Sequence, residues 1–402
     1  MTSEDFTPSR PYGVERQFQI YLERRQGKRP ALPVAFEALE QQANAHLSPE
    51  KWGFIADGAG SQDTMRANLA AFRRWRIVPR MLCDVARRDL SVKLFSTSLP
   101  APVLLAPIGT QSIVHPQAEV AVARAAASLN IPFVLSTSSS RSIEEVAQAA
   151  GNATRWFQLY WSKDPQLNAS FVQRAERAGY SAIVVTLDSA ILGWRPQDLQ
   201  RAYQPFAQQE GLANYFSDPV FRQALGQAPE ENPQAAITHF VSIFSDLSLT
   251  WENLAFLRQH TRLPILLKGI LHPADALKAI EYQMDGIIVS NHGGRQLDGA
   301  RAALDALADI APAVQGRLPL LFDSGIRGGA DAFKALALGA RAVLLGRPYL
   351  WGLALGGEQG VREVVLNFLA ELDLTLALSG YNSLQSLDRS ALVREAYLGE
   401  IA

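Results

Sequence analysis

One unit repeats eight times along this chain: a short apolar run, a turn, and an amphipathic segment rich in alanine. The runs occupy residues 102–107, 133–137, 155–160, 182–188, 264–268, 286–290, 319–323 and 342–346. They show no alternation of polar and apolar positions, which is typical of parallel strands buried on both faces. Eight such units that close on themselves form a (β/α)8 TIM barrel, and the sequence therefore predicts this α/β fold.

The spacing of the runs supports a barrel. Successive runs end 22 to 33 residues apart, except for a gap of 80 residues between Asp188 and Lys268. A doubly wound open sheet is the alternative, but no stretch resembles the G-x-G-x-x-G turn with which such sheets bind dinucleotides. We therefore expect a barrel whose chemistry lies at the carboxyl ends of its strands.

The sequence predicts a single domain, residues 1–402. The segments outside the repeats indicate how it is organised. Residues 1–98 have a helical, amphipathic pattern and are expected to form an extension that packs on the barrel of residues 99–380. The insertion at 189–263 follows the fourth strand, on the active-site face, and is predicted to be a lid. Residues 381–402 would form a C-terminal tail.

Composition excludes several classes of function. The chain has 402 residues and a formal net charge of -1, which gives no positive footprint for nucleic acid. No apolar run approaches the ~18 residues of a membrane-spanning helix. The N-terminus lacks a signal pattern, and one cysteine, Cys83, allows neither an intrachain disulfide nor a thiolate metal cluster. We expect a cytoplasmic protein with no metal and with no nucleic-acid or membrane partner.

The ends of the fourth and sixth runs carry the side chains most suited to catalysis. His292 follows the sixth run, and an imidazole on the rim of a barrel can act as a general base near neutral pH. Considered alone, it could equally be a structural histidine held in a turn. Asp188 ends the fourth run and could orient His292, while Arg195 and Arg295 offer paired donors to a carboxylate or phosphate. Together they predict a site for an anionic substrate.

The remaining strand ends predict a cofactor. Tyr160 ends the third run and Lys268 the fifth. Glycine-rich turns, FDSGIRGG and LLGRP, follow the last two runs, where barrels commonly bind phosphate. Arg327 and Arg347 would add side-chain donors there. A phosphate at these turns and a lysine across the mouth indicate a mononucleotide cofactor beside the substrate.

The motif SNHGGRQ, residues 290–296, is similar to the active-site signature of the FMN-dependent α-hydroxy-acid oxidases and dehydrogenases. The agreement continues in the family's order through LAPIG, FQLY, VTLD, LKGI, FDSGIR and GRP, and upstream through ADGAGSQDTMRAN and PRML. It covers essentially the whole barrel. Within the family, GWRPQDL, NYFSDPVF and ALGGEQG…SGY look most like lactate 2-monooxygenase.

The resemblance implies FMN-dependent oxidation of a 2-hydroxy acid to a 2-oxo acid, with oxygen as acceptor. His292, paired with Asp188, would take the proton of the substrate hydroxyl. Arg195 and Arg295 would hold the substrate carboxylate, and Tyr160 would hydrogen-bond the hydroxyl or the developing oxo group. The resemblance also implies a homo-oligomer, a tetramer or a multiple of it.

The same resemblance implies a cofactor site. Lys268 would lie by N1 and O2 of the flavin, and Gly109 would present its backbone N–H near N5. The other residues implied for the ring, ribityl chain and phosphate are Pro107, Ile108, Ser136, Gln158, Thr186, Ser290, Asp323, Ser324, Gly325, Arg327, Gly346 and Arg347.

Two positions depart from the family pattern. Phe54 stands where the family usually has a tyrosine whose hydroxyl contacts the substrate carboxylate. Ser138 stands where a large tryptophan or leucine often covers the substrate, and Arg141 follows, so the pocket is expected to be roomier and more polar than a lactate site. Both a peroxide-releasing oxidase and a decarboxylating monooxygenase fit the sequence. The alternatives are an FMN-binding barrel with altered or lost hydroxy-acid turnover, acting on a larger or different substrate, and an FMN isomerase of phosphorylated substrates.

Overall fold

The predicted barrel is present in the computed structural model, which describes residues 12–395. Residues 12–99 precede it, and the predicted helical extension contains short strands as well as helices. The extension contains α1 (Tyr12–Arg25), α2 (Phe36–His46), α3 (Pro49–Ala56), α4 (Asp63–Arg74), β1 (Trp75–Ile77), β2 (Val92–Leu94) and β3 (Thr97–Leu99). The first eleven residues of the predicted extension lie outside the described part of the chain.

The hairpin of β2 and β3 closes one end of the barrel. Leu94 and Leu99 pack with the side chains inside the barrel, and the ring of Phe95 lies 5.9 Å from that of Trp156. Because Trp156 is the second residue of its strand, the hairpin occupies the end opposite the strand carboxyl ends. The opposite end is thereby left as the open mouth.

Eight parallel strands form the barrel, and the last of them pairs with the first. They are β4 (Val103–Leu105), β5 (Phe133–Ser136), β6 (Arg155–Tyr160), β7 (Ile183–Thr186), β8 (Ile265–Ile270), β9 (Gly286–Val289), β10 (Leu320–Phe322) and β11 (Ala342–Leu345). Burial of both faces explains the unbroken apolar runs, since Leu104 points into the barrel while Val103 and Leu105 pack outwards against helices. The side chains that fill the interior, one from each strand, are Leu104, Val134, Trp156, Val184, Leu266, Ile288, Leu321 and Leu344.

Helices cover the outside of the barrel. The first three strands are followed by α5 (Ala118–Ser128), α6 (Ile143–Ala150) and α7 (Pro165–Arg177). The lid after β7 contains α8 (Pro196–Arg201), α9 (Ala213–Phe216), α10 (Pro219–Gln223) and α11 (Pro233–Ile243). The outer layer continues with α12 (Leu254–His260), α13 (Pro273–Glu281), α14 (Ala303–Val314), α15 (Gly329–Ala337) and α16 (Arg347–Leu378), and β12 (Leu392–Arg394) pairs with β1. Short 3-10 turns lie at Gln111–Ile113, Pro205–Gln208, Trp251–Asn253, His292–Gly294, Leu384–Ser386 and Arg389–Ala391.

The lid is a folded unit rather than an open loop. Its centre is aromatic, with the ring of Phe240 lying 5.3 Å from that of Phe206 and 4.8 Å from that of Tyr215. Asn214 ties it to the barrel by donating a hydrogen bond to the carbonyl of Ser136 (3.2 Å) at the end of β5. The lid is therefore fixed to the barrel mouth.

The last helix, α16, is bent at Gly356 and Gly357, whose backbone angles are not helical. Its two parts cross where Gly352 and Gly360 meet, and a Cβ at Gly360 would lie 2.0 Å from the carbonyl oxygen of Gly352. No helix among residues 12–395 is both long and apolar enough to cross a membrane.

We expect Gly360→Ala to lower the thermal midpoint of unfolding, because the added methyl group forces the two parts of α16 apart. Overpacking of this kind costs about 1–3 kcal/mol. Gly226→Ala is the matched control, since a Cβ there meets nothing within 4 Å. Equal thermal midpoints for the two variants would contradict the close crossing.

Candidate active site

A cavity of about 620 Å³ opens at the carboxyl ends of the barrel strands, between the lid and α3. Its volume is typical of sites for small molecules and cofactors. The predicted site residues that line it are Phe54, Pro107, Ile108, Gly109, Ser136, Tyr160, Arg195, Lys268, His292, Arg295, Asp323, Ser324, Gly325, Arg327, Gly346 and Arg347. Asp188, Gln158, Thr186 and Ser290 lie behind these, each bonded to or paired with a lining residue.

His292 is held by the carboxylate of Asp188. Its Nδ1 lies 2.8 Å from Asp188 Oδ1, and the hydroxyl of Ser189 lies 3.2 Å from both atoms. The backbone of His292 is left-handed (φ 59°), as are those of Gly293 and Gly294, a conformation that is rare for residues with side chains. Since Nδ1 is bound to Asp188, Nε2 is the nitrogen available to a ligand.

Burial and neighbouring charges set the protonation states of His292 and Asp188. Burial lowers the pKa of His292 below its ordinary value of 6.5, and the charge of Lys268 lowers it further, against the opposing effect of Asp188. Burial opposes ionisation of Asp188, but the charges of His292 and Lys268 outweigh it and hold the pKa below 3.8. At neutral pH the site therefore contains a neutral imidazole beside a carboxylate, ready to accept a proton.

Lys268 is buried but remains charged. Its Nζ donates to the hydroxyl of Ser290 (2.9 Å) and lies 3.5 Å from Asp323 Oδ2 and 4.0 Å from Asp188 Oδ2. Burial favours the neutral amine, yet the two carboxylates outweigh it and raise the pKa. Burial also raises the pKa of Tyr160, so its phenol keeps its proton at neutral pH.

Four arginines bring positive charge to the cavity without a carboxylate partner. Arg195, Arg295, Arg327 and Arg347 form no ion pair within 4.0 Å with an acidic residue in the described part of the chain. Burial lowers the pKa of all four, and repulsion between guanidinium groups adds to this at Arg295 and at Arg347, whose pKa falls to about 9. Since buried charge without a partner is costly, this cluster indicates a site for anionic ligands.

Two of these arginines are oriented by the carboxyl end of α3. Arg295 donates to the carbonyls of Phe54 (2.6 Å), Ile55 (3.1 Å) and Asp57 (2.8 Å). Arg347 donates to the carbonyls of Ile55 (3.3 Å) and Asp57 (3.2 Å). These acceptors carry the negative end of the helix dipole, so they orient the guanidinium groups without neutralising them.

The comparison with known proteins identifies the family. A family model described as FMN-dependent dehydrogenase matches residues 43–394. The chain belongs to the FMN-dependent dehydrogenase family.

Relatives of this FMN-dependent dehydrogenase align over nearly its whole length. L-lactate oxidase of Lysinibacillus sphaericus is 45% identical over 362 residues, which cover 90% of this chain and 93% of the relative. 2-Hydroxyacid oxidase 1 of Homo sapiens is 40% identical, with coverages of 90% and 96%. A crystal structure of mandelate oxidase superposes with a TM-score of 0.80 at 37% identity, with coverages of 90% and 98%. The chain thus belongs to a family of FMN-dependent enzymes whose named relatives include oxidases of L-lactate, 2-hydroxy acids and mandelate.

One wall of the cavity fits the polar edge of the flavin ring. Gln158 Nε2 and Thr186 Oγ1 are buried without a hydrogen-bond partner among the described residues, while Gln158 Oε1 accepts from Ser136 (3.0 Å). Buried polar atoms are nearly always paired, so these atoms fit a polar ligand edge. A Cβ at Gly109 would lie 2.5 Å from the carbonyl oxygen of Ser138, so glycine there lets the loops after β4 and β5 pack closely at the cavity.

The turns after β10 and β11 fit the phosphate of FMN. Gly325 has φ 96° and Gly346 lines the cavity, so backbone N–H groups are open to a ligand. Arg327 and Arg347 supply charge there, and the guanidinium carbon of Arg327 lies 4.8 Å from the centre of the Phe36 ring. Two unpaired guanidinium groups match a phosphate that carries up to two negative charges.

Several cavity residues are not predicted from the sequence. Nothing in the lid's pattern shows which of its side chains turn inwards, and Leu350 lies on the helix after the last strand. For Gln296 a signal existed, because it ends the SNHGGRQ motif. The additional lining residues include Ser189, Leu192, Trp194, Asp198, Leu199, Ala202, Tyr203, Phe206, Phe244, Gln296 and Leu350.

We expect bound FMN to raise the thermal midpoint, because it binds the folded chain and neutralises buried charge. Arg347→Met should reduce this gain, since a charged hydrogen-bond donor contributes roughly 1.5–3 kcal/mol. The measurement is thermal unfolding with and without FMN. Arg341→Met is the control, since Arg341 is exposed at the start of β11. A gain in Arg347→Met as large as in wild type would contradict the phosphate site.

Proposed function

We propose that this chain oxidises a 2-hydroxy acid to the 2-oxo acid and passes the electrons through FMN to oxygen. The observation that carries the proposal is the neutral His292, oriented by Asp188, in the same cavity as Arg195 and Arg295. A 2-hydroxy acid has its hydroxyl and its carboxylate on adjacent carbons. It therefore needs a base and an anion-binding group side by side, as this cavity provides.

The substrate carboxylate is proposed to lie between Arg195 and Arg295. Arg195 Nε donates to the backbone carbonyl of Arg295 (3.0 Å), and the charge of Arg195 is near enough to lower the pKa of Arg295. Both lack a carboxylate partner, and each guanidinium retains N–H groups that no described residue accepts. Binding the carboxylate relieves their repulsion and fixes the orientation of the substrate.

The proton is proposed to move to His292. Its Nε2 accepts the hydroxyl proton as the Cα–H bond breaks, and Asp188 stabilises the imidazolium that forms. Tyr160 keeps its proton and can donate to the substrate oxygen, while Lys268 holds positive charge at the cavity floor. FMN, when bound, supplies the acceptor for the hydrogen and electron pair that leave Cα.

Reoxidation of the reduced FMN by oxygen can give two sets of products. In one, the 2-oxo acid is released with hydrogen peroxide. In the other, both products stay under the lid and react to give a carboxylic acid one carbon shorter, carbon dioxide and water. We propose the first, because relatives are named oxidases. The motifs shared with lactate 2-monooxygenase favour the second, and carbon dioxide release distinguishes them.

The substrate side chain is proposed to be aromatic or long and apolar. The lid side of the cavity is aromatic, with the ring of Phe244 lying 5.6 Å from that of Tyr160 and 6.0 Å from that of Phe206. Ser138 adds a small side chain whose buried hydroxyl has no partner among the described residues. The solved structures of mandelate oxidase include one with (S)-4-hydroxymandelic acid. This similarity supports a substrate side chain as large as an aromatic ring.

A second candidate is an FMN-binding barrel with altered or lost hydroxy-acid turnover. Phe54 favours it, because its ring lies 5.7 Å from the guanidinium carbon of Arg295 and offers no hydroxyl to a carboxylate. The intact pair of His292 and Asp188 favours turnover instead. Flavin reduction by 2-hydroxy acids separates the two.

We further propose a cytoplasmic homo-oligomer, a tetramer or a multiple of it. The single cysteine supports a reducing compartment. Four apolar side chains, Val14, Phe18, Tyr21 and Leu22, are exposed on α1, which fits a subunit contact. The proposed division of the chain is an extension at residues 1–98, a barrel at 99–380 with a lid at 189–263, and a tail at 381–402.

We expect kcat/KM to fall as the pH is lowered, with the midpoint of the fall below pH 6.5. Burial holds the pKa of His292 below its ordinary value of 6.5, so the neutral base is lost as the pH falls through that lowered pKa. His292→Ala should keep FMN and lose roughly 10²–10⁴-fold in the rate of flavin reduction. Glu281→Gln, which removes an exposed carboxylate at the end of α13 outside the cavity, is the control for altered charge. Rapid reduction in His292→Ala would assign the base elsewhere.

We expect mandelate to reduce the flavin faster than lactate in wild type under anaerobic conditions. Ser138→Trp should reverse that order by filling the space for the aromatic ring. Ser138→Ala, which keeps the volume and removes only the hydroxyl, should preserve the preference. No reduction by either acid contradicts the proposed function, and an unchanged order in Ser138→Trp contradicts only the proposed side chain.

A further inference from the structure

Gln296 lies where it can affect both the base and the carboxylate site. It follows Arg295 directly and lies four residues after His292, on the loop after β9. Its side-chain amide makes four hydrogen bonds, which is the full capacity of a carboxamide. All four go to residues 188–195, the turn after β7.

The partners fix the orientation of the amide. Its nitrogen donates to the carbonyls of Asp188 (2.9 Å) and Ile191 (3.0 Å), and its oxygen accepts from Arg195 Nη2 (2.8 Å) and the N–H of Gly193 (3.3 Å). The reversed amide would place N–H groups against donors and oxygen against carbonyls. A Cβ at Gly193 would lie 2.4 Å from the Gln296 carbonyl oxygen, so the two loops are in backbone contact.

We propose that Gln296 is a positioning residue, which sets the spacing between the base and the carboxylate anchor. One end of its amide holds the backbone of Asp188, which orients His292, and the other end holds Arg195. The inference rests on the proposed function, in which the substrate bridges these two groups through its hydroxyl and its carboxylate.

Arg195 depends on this amide for its orientation. Its Nε is bound to the carbonyl of Arg295 and one Nη2 hydrogen to Gln296. The remaining N–H groups, two on Nη1 and one on Nη2, have no acceptor within residues 12–395. Gln296 therefore leaves the outward edge of the guanidinium to an anion in the cavity.

Gln296→Glu tests the proposal because it keeps the size and the acceptor bonds. It removes both donors and places a negative charge against Arg195, where it competes with the substrate carboxylate. We expect KM for mandelate and Kd for benzoylformate, followed by the flavin absorbance, to rise together by about 10- to 100-fold. FMN per chain should stay near wild type, while the thermal midpoint should fall, because a carboxylate oxygen then faces the carbonyls of Asp188 and Ile191.

Gln296→Met supplies the second arm, since it keeps volume and has no strong hydrogen-bonding group. With Asp188 and Arg195 both released, kcat should fall and KM should rise. Gln234→Glu, which adds the same charge at an exposed position on α11 outside the cavity, should leave both constants near wild type.

The measurements on the two Gln296 variants distinguish a positioning role from a purely structural one. KM and Kd within about twofold of wild type in both Gln296 variants would overturn the positioning role. A lower thermal midpoint with unchanged KM and Kd would make Gln296 a structural residue only, and so would also overturn it. Since the Kd of benzoylformate is measured without turnover, failure of wild type to oxidise any 2-hydroxy acid contradicts the proposed function and not this inference.

Discussion

The site depends on positive charge that is oriented but not neutralised. Arg295 and Arg347 are held by backbone carbonyls at the carboxyl end of α3, and Arg195 is held by the carbonyl of Arg295. Carbonyl dipoles fix a guanidinium while leaving its charge in place. A carboxylate at the same positions would satisfy that charge, and an anionic ligand would then have to displace it.

Burial and a neighbouring cation together set the chemistry of the base. Burial lowers the pKa of His292 and the charge of Lys268 lowers it further, which keeps the imidazole neutral. The charges of His292 and Lys268 lower the pKa of Asp188 against the effect of its burial, which keeps the carboxylate ionised. Lys268 retains this charge because Asp323 and Asp188 lie within 4.0 Å. Lys268 lies on β8, while Asp188 and Asp323 follow β7 and β10. The barrel itself therefore fixes the distances between these three side chains.

Because the site is built from residues at the strand ends, much of it can be predicted from the sequence. The eight apolar runs predict the barrel, and polar residues at their ends, such as His292 and Lys268, predict the side chains at its mouth. Phe244 is not predictable, because its place in the cavity depends on how the lid folds. The hairpin of residues 92–99 is also missed, since it is stabilised by the barrel interior rather than by its own pattern. Likewise, no local pattern shows that α3 carbonyls meet Arg295.

The contacts between α3 and the arginines also bear on how the protein is made. The residues that meet there are separated by 240 positions for Ile55 and Arg295, and by 292 for Ile55 and Arg347. Contacts of such long range form late, because the intervening chain must be ordered first. During synthesis, α3 leaves the ribosome long before Arg347 exists. The nascent chain therefore cannot complete the arginine cluster at the end of α3 until Arg347, which follows its eighth strand, has been made.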